Sequence, residues 1–274
     1  MSISLAASAD IEAPSFVEAV IRFTDPSSAG AVLHSDDHES STFKLVPRTV
    51  RISNARTAAE PLSLEANGFT LIDAPFDIDF HDREEVERRY FPEAQRIARE
   101  LTGASEAVVF LDVIRSETRG AGMEVANNAH VDFDGQSVAN WLRAVRPSEA
   151  DRLLKKRRMI NINLWRPIRP VERMPLAVCD ASSVSRADLV RTVIGRKDSD
   201  EPSPFAGFNL AYNPGQRWYY YPGMQPNEVL AFKIFDSEMQ RPHTTAHSAF
   251  EDPSSAPDAE PRISYEIRTI SFLD

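Results

Sequence analysis

RWYYYPGMQPNEVLAFKIFDS, residues 217–237, is the stretch on which the fold turns. It opens on an aromatic run and closes on a run of apolar, β-forming residues, with Pro222, Gly223, Pro226 and Asn227 between them. Aromatic and β-branched side chains fit a pleated, half-buried surface, and Pro, Gly and Asn supply turns. The stretch therefore reads as strand 217–222, turn, strand 228–237. The same pattern recurs on both sides. MININLWR (159–166), PLAVCDA (175–181) and FNLAYN (208–213) precede it, and ISYEIRTISFL (263–273) follows. Further upstream, FVEAVIRFT (16–24), STFKLVPRTVRI (41–52), FTLIDAP (69–75) and AVVFLDVIRSE (107–117) read as strands too.

Helices are fewer. Over 82–102, Val86, Tyr90, Phe91, Ala94, Ile97, Ala98 and Leu101 line one face, and Gly103 supplies the stop. Shorter helices are expected near 136–145, 148–156 and 186–194, and Pro/Ser/acid-rich loops at 196–207 and 251–261. Many short strands with few helices give a mainly β fold with helical decoration, a double-stranded β-helix or jelly roll. Such a fold houses metal sites between its two sheets. At 274 residues the chain reads as one domain, 1–274, with the first sixty residues extending the sheet at its N-terminal side.

Composition narrows the function classes. A hydrophobic fraction of 42% and a mean hydropathy of −0.35 suit a globular core, and no apolar run approaches the roughly 18 residues of a membrane span. The net charge of −10 argues against a nucleic-acid partner, so the basic run Lys155-Lys156-Arg157-Arg158 reads as a solvated edge. The start, MSISLAASADIEAPS, lacks the basic and apolar regions of a signal peptide. Cys179 is the only cysteine, which rules out an internal disulfide and fits a reducing cytoplasm. Within PLAVCDA it reads as a buried structural thiol rather than a nucleophile.

The chemistry gathers around His130-Val131-Asp132. Side chains two apart on a strand share a face, so the imidazole and the carboxylate point the same way. One more histidine from a distant strand completes two imidazoles and a carboxylate on one side of a metal. That set leaves positions open for O2 and a co-substrate, the arrangement of non-haem Fe(II) oxygenases. Downstream, His243 and His247 are both candidates; Pro242 and two threonines make a helix carrying both as ligands doubtful. His34, His38 and His81 sit among acids in loop-like sequence and read as solvated.

Arg262 and Ser264 share one face of the last strand. A guanidinium fork with a nearby hydroxyl suits a carboxylate, as the distal end of a dicarboxylic co-substrate such as 2-oxoglutarate requires. The competing role for Arg262 is a surface pair with Glu260 or Asp258. Arg268 is either a second clamp or the partner of Glu266. Arg166 and Arg115 are candidate contacts to substrate or co-substrate, set against a plain loop position for Arg166. One ring of the run 218–221, Tyr221, is a candidate wall of the substrate pocket.

NLWRPIRPVERMPLAVCDASS (163–183), the stretch 217–237, HSAFEDP (247–253) and PRISYEIR (261–268) together resemble a known family. They are similar to the fungal and bacterial group of AsaB-type hydroxylase/desaturases, gibberellin desaturases and cephalosporin methoxylation proteins. The resemblance runs from about residue 64 to the C-terminus. It implies a jelly roll, Fe(II), O2 and 2-oxoglutarate, with oxidation of a small secondary-metabolite or amino-acid-derived molecule by hydroxylation, desaturation or ring formation. By position it implies His130, Asp132 and His247 as the metal ligands and Arg262 and Ser264 as the co-substrate contacts. The expected partner is a small, carboxylate-bearing substrate, and a homodimer is compatible with the pattern. Two alternatives stand beside this reading: an iron oxidase that does not use 2-oxoglutarate, and a non-catalytic metal-binding partner protein.

Overall fold

The computed structural model describes residues 4–5, 13–35, 38–199, 201–240 and 243–274. The N-terminal segment assessed for a signal peptide lies largely outside these residues, as do Pro242 and the His38 side chain.

In chain order the strands are β1 (Ser4–Leu5), β2 (Phe16–Thr24), β3 (Val32–His34), β4 (Leu45–Asn54) and β5 (Phe69–Asp73). Helices α1 (Arg83–Glu85) and α2 (Phe91–Thr102) follow, then β6 (Glu106–Ser116), β7 (Met123–Glu124) and β8 (His130–Val131). After α3 (Gly135–Val145) and α4 (Ala150–Leu153) come β9 (Arg158–Pro167), β10 (Leu176–Cys179), β11 (Leu189–Gly195) and β12 (Ala206–Leu210). The last four are β13 (Trp218–Tyr220), β14 (Glu228–Asp236), β15 (His247–Ala249) and β16 (Ile263–Leu273).

They form two sheets. One has seven strands in the order β1-β5-β14-β9-β16-β6-β7, the other nine in the order β2-β4-β13-β10-β15-β8-β12-β11-β3. The stretch 217–237 carries the chain between them, because β13 belongs to the nine-stranded sheet and β14 to the seven-stranded one. The jelly roll expected from the strand pattern is the fold observed.

Register sorts the seven-stranded sheet into two faces. Phe232 lies opposite Asn163, which lies opposite Arg268; Leu230, Trp165 and Glu266 form the next row. These residues face the other sheet, and their apolar members share one core cluster with Ile21, Phe23, Ile52, Trp218 and Phe250. The alternate residues Ile162, Leu164, Ala231, Tyr265 and Ile267 face outward and are covered by Tyr90, Ala94, Ile97 and Ala98 of the long helical segment. That segment covers the predicted 82–102 but widens into a π-turn over Val86–Tyr90. Pro92 cannot donate to the ladder and its ring crowds the preceding turn, which the wider turn accommodates. The stop is as read: Gly103 takes φ 70° and its N–H caps Arg99 O.

The helix expected at 186–194 is a correction. Only Arg186–Asp188 turns, as a 3-10 segment; Leu189–Gly195 is β11, hydrogen-bonded to both β12 and β3. The β-branched residues Val190, Thr192, Val193 and Ile194 suit a strand, and two flanking partners settle it.

Candidate active site

The site lies between the two sheets where β8 is clamped by β15 and β12. β8 is two residues long, yet it sets His130 directly opposite His247 on β15, with the ring centroids 4.3 Å apart. Gly207 on β12 makes this crossing feasible: a Cβ there would sit 2.4 Å from Asp132 O and 2.6 Å from Val131 O. Asp132 follows β8 and turns its carboxylate into the same space.

His130, Asp132 and His247 each offer a ligand atom, and these atoms lie within 4.8 Å of one another. His130 Nε2 is 3.4 Å and His247 Nε2 is 3.9 Å from Asp132 Oδ1. The far sides of both rings face backbone carbonyls: His130 Nδ1 lies 2.8 Å from Asn128 O and His247 Nδ1 lies 3.3 Å from Thr245 O. An Nδ1–H donating to a carbonyl leaves the Nε2 lone pair on the inner side, the tautomer a metal needs. Burial, with His130 beside it, pushes the His247 imidazole down to about 3, so it is neutral. Burial by itself would raise the Asp132 carboxyl, but the Arg268 guanidinium and His130 outweigh it and hold it well below the usual carboxylate range. Two imidazoles and one ionised carboxylate therefore converge, and this donor set fits a divalent ion with open positions. His243 lies outside the cluster found among the described residues.

Arg262 and Ser264 are almost fully buried. Arg262 Nη1 donates to Met174 O at 2.6 Å and the guanidinium stands 5.4 Å over the Trp165 ring. Its Nε and Nη2, the Ser264 hydroxyl and Trp165 Nε1 have no hydrogen-bond partner among the described residues. Burial, with Arg115 nearby, pushes the Arg262 guanidinium down to about 10. A buried cation with unused N–H donors is costly unless an anion meets it, so these residues fit a carboxylate. Glu260, the alternative surface partner, pairs instead with Arg169 at 3.5 Å.

The other candidates separate clearly. Arg268 is committed: its Nε donates to Asp132 Oδ2 at 3.1 Å and its Nη2 to Glu266 at 2.6 Å. Burial would lower this guanidinium, but Asp132 and Glu266 raise it, so it stays charged. Arg115, opposite Ser264 in the ladder, lines the cleft beside His130 and donates to Glu124 O at 3.0 Å. Arg166 is neither a loop residue nor near the cleft. It lies opposite Tyr265 on the helix-covered face, donating to Tyr90 Oη, Pro226 O and Ala74 O. Tyr221 lines a separate, smaller recess beside Arg56, so it does not wall the main cleft. Its phenol is buried, which raises it. His34 lies 2.7 Å from Ser40 Oγ, and His81 is exposed. Cys179 is buried, and its thiol is pushed up to about 12 by that burial, in keeping with a structural role.

Asn163 was not singled out from sequence, yet its Nδ2 donates to Asp132 Oδ2 at 2.6 Å. The signal was present: two asparagines, Asn161 and Asn163, interrupt an otherwise apolar strand, and buried amides require partners.

In front of the cluster opens a cleft of about 760 Å³. His130, Asp132, Arg115 and Arg268 are among its polar lining residues, and Leu111, Val125, Phe133, Trp141, Ile194 and Phe208 contribute apolar walls. Among the described residues no helix is long and apolar enough to cross a membrane.

Comparison with known proteins agrees with this geometry. The model of an oxidoreductase/YMDC permease-like domain matches residues 21–272. The chain is 30% identical over 241 residues to the Fe(II)/2-oxoglutarate-dependent dioxygenase nvfI of Aspergillus novofumigatus, covering 84% of this chain and 85% of that protein. It is 32% identical over 255 residues to the hydroxylase/desaturase CTB9 of Cercospora beticola, covering 84% and 78%. Among solved structures, the iron and alpha-ketoglutarate-dependent endoperoxidase NvfI superposes with a TM-score of 0.85 at 27% identity, covering 94% of this chain and 98% of that one. The same endoperoxidase in a different conformation gives 0.86 at 27%, covering 96% and 99%. A metal-ready cluster, a buried unpaired arginine and these similarities over most of the chain agree: the chain belongs to the family of Fe(II)/2-oxoglutarate-dependent dioxygenases that includes the fungal hydroxylase/desaturases.

Proposed function

We propose that this chain is an oxygenase in which His130, Asp132 and His247 hold Fe(II), and Arg262 with Ser264 holds the distal carboxylate of 2-oxoglutarate. The observation that carries the reading is the convergence of two imidazole Nε2 atoms on one carboxylate oxygen, with an unpaired buried guanidinium in the same interior layer. Bound Fe(II) supplies the redox chemistry that couples O2 and 2-oxoglutarate to oxidation of a C–H bond.

The chain's own residues do the rest. Asn128 O and Thr245 O orient the two imidazoles. Phe232, with its ring centroid 4.7 Å from that of His247, keeps water from the back of the cluster. Arg262 and Ser264 orient the co-substrate through a two-point fork and a hydroxyl. The buried charges balance: Asp132 and Glu266 oppose Arg262 and Arg268, so a divalent metal and a dianion can enter together without net charge in a low-dielectric interior.

The substrate on this reading is a small molecule whose apolar body fits the 760 Å³ cleft and whose carboxylate reaches Arg115. Residues 1–274 act as one oxygenase domain, with β2, β3 and β4 inside the nine-stranded sheet. The cytoplasm is the proposed compartment and a homodimer the proposed assembly, the latter tested by sedimentation. Function is tested by adding Fe(II) and 2-oxoglutarate without oxygen, which should give a visible charge-transfer band. A screen of small carboxylates for coupled succinate release then identifies the substrate. Absence of the band would favour a non-catalytic binding protein, and substrate oxidation without coupled succinate would favour a 2-oxoglutarate-independent oxidase.

A further inference from the structure

The two oxygens of Asp132 face different company. Oδ1 faces the imidazoles, 3.4 Å from His130 Nε2 and 3.9 Å from His247 Nε2. Oδ2 accepts two N–H donors instead, Asn163 Nδ2 at 2.6 Å and Arg268 Nε at 3.1 Å. Both donors are themselves fixed by Glu266: Arg268 Nη2 reaches its Oε1 at 2.6 Å and Asn163 Nδ2 reaches it at 3.2 Å. All four side chains are buried. Asn163 and Arg268 are register partners on β9 and β16, next to the Trp165–Glu266 pair, so the ladder of two central strands presets the donors.

We propose that Arg268 and Asn163 are positioning residues that restrict Asp132 to ligation through Oδ1 alone. This rests on the metal-site reading above. A carboxylate whose second oxygen is free can chelate and occupy an extra coordination position. With Oδ2 engaged by two donors, one of them cationic, chelation would require breaking charge-assisted hydrogen bonds. The consequence is functional. Three single-atom protein ligands would leave room at a bound metal for a chelating keto acid and O2. Glu266 would then act through Arg268, holding its guanidinium at the angle that meets Oδ2.

The rival role is purely structural: these residues join the seven-stranded sheet to a loop of the nine-stranded one, and that alone would justify them. Co(II) binding to the metal-free protein separates the two, because its visible absorption reports coordination number and needs no turnover. Arg268→Met combined with Glu266→Gln removes one buried charge of each sign and leaves Asp132 with only Asn163. The expected result is Co(II) affinity lowered about 10- to 100-fold, as for other partners of metal-ligating side chains, with an altered visible spectrum and a retained circular dichroism signal. Arg268→Lys keeps the charge without the fork and should recover part of the affinity. Parental affinity and spectrum in the double variant would overturn the proposal and leave the structural role. If the double variant does not fold, Asn163→Ala is put through the same two measurements: lowered affinity with an altered spectrum supports the positioning role, and parental values overturn it. His130→Ala runs as the control. If it binds Co(II) as well as the parent, the metal site itself has been misassigned, an outcome distinct from failure of the positioning role.

Discussion

Replacing Arg262 by leucine should weaken 2-oxoglutarate binding and at the same time stabilise the protein that lacks it. The guanidinium offers Nε and Nη2, both without a hydrogen-bond partner among the described residues, as is the nearby Ser264 hydroxyl. A charge-assisted two-point contact with a carboxylate contributes about 3 kcal/mol, so its loss should raise the dissociation constant about 100-fold. Without the ligand the balance reverses. Burial, aided by Arg115, pushes Arg262 down to about 10, which corresponds to roughly 3 kcal/mol against the charged form in the folded state. The sign follows: a cation whose folded value is depressed costs stability at every pH below that value. Leucine removes this cost but forfeits the bond to Met174 O and the stacking on Trp165, together about 2 kcal/mol. A net gain of about 1 kcal/mol is expected. The assay is thermal unfolding of Mn(II)-loaded protein with and without 2-oxoglutarate. At a concentration one hundred times the parental dissociation constant, the parent gains about 2.7 kcal/mol and the variant about 0.4 kcal/mol. The difference amounts to roughly 5 °C in Tm. A variant that keeps the full ligand-induced shift would refute the clamp. Should Arg115→Leu lose the shift instead, the clamp belongs to that arginine.

Four further outcomes follow from the same geometry. His130→Ala and Asp132→Ala should each lower iron affinity by more than about 100-fold, since even the outer partners of metal ligands cost 10–100-fold; iron content and circular dichroism check this, and near-normal iron in either variant sinks the triad. His247→Ala should lose iron while His243→Ala keeps it, and the reverse pattern would exchange the two. Arg166→Leu strands Tyr90 Oη, Pro226 O and Ala74 O, so denaturant unfolding should show a loss of roughly 3 kcal/mol with no change in 2-oxoglutarate affinity. Trp141→Ala enlarges the apolar part of the cleft and should raise the substrate KM about 30-fold while leaving succinate release without substrate unchanged, for a side chain of this size contributes about 2 kcal/mol of contact.

Much of this molecule is legible in its sequence because local chemistry suffices. The strand runs, the helix over 82–102 and its stop at Gly103 follow from side-chain pattern and glycine conformation. The H-x-D and R-x-S spacings read as one face of a strand; in the structure Asp132 lies just after β8 and Arg262 just before β16, so only one member of each pair sits in a strand, though Arg262 and Ser264 are both buried. What local pattern cannot supply is which face and which neighbour. Arg166 on β9 and Arg262 just before β16 are both buried arginines of the seven-stranded sheet region, yet Arg166 faces the helix and Arg262 the interior. A shift of one residue in register exchanges the two faces of a strand, and register is set by partners distant in the chain. The same holds for the segment 186–194, which pairs as β11 only because β12 and β3 flank it. The choice between His243 and His247 rested on family resemblance; in the structure it rests on one ladder contact, His247 opposite His130. Asn163 gained its place by facing Asp132 across the gap between sheets. Sequence determined the pieces with a periodic or conformational signature, and tertiary structure decided their meetings, because those arise from sheet register and closure between residues that have no local reason to find each other.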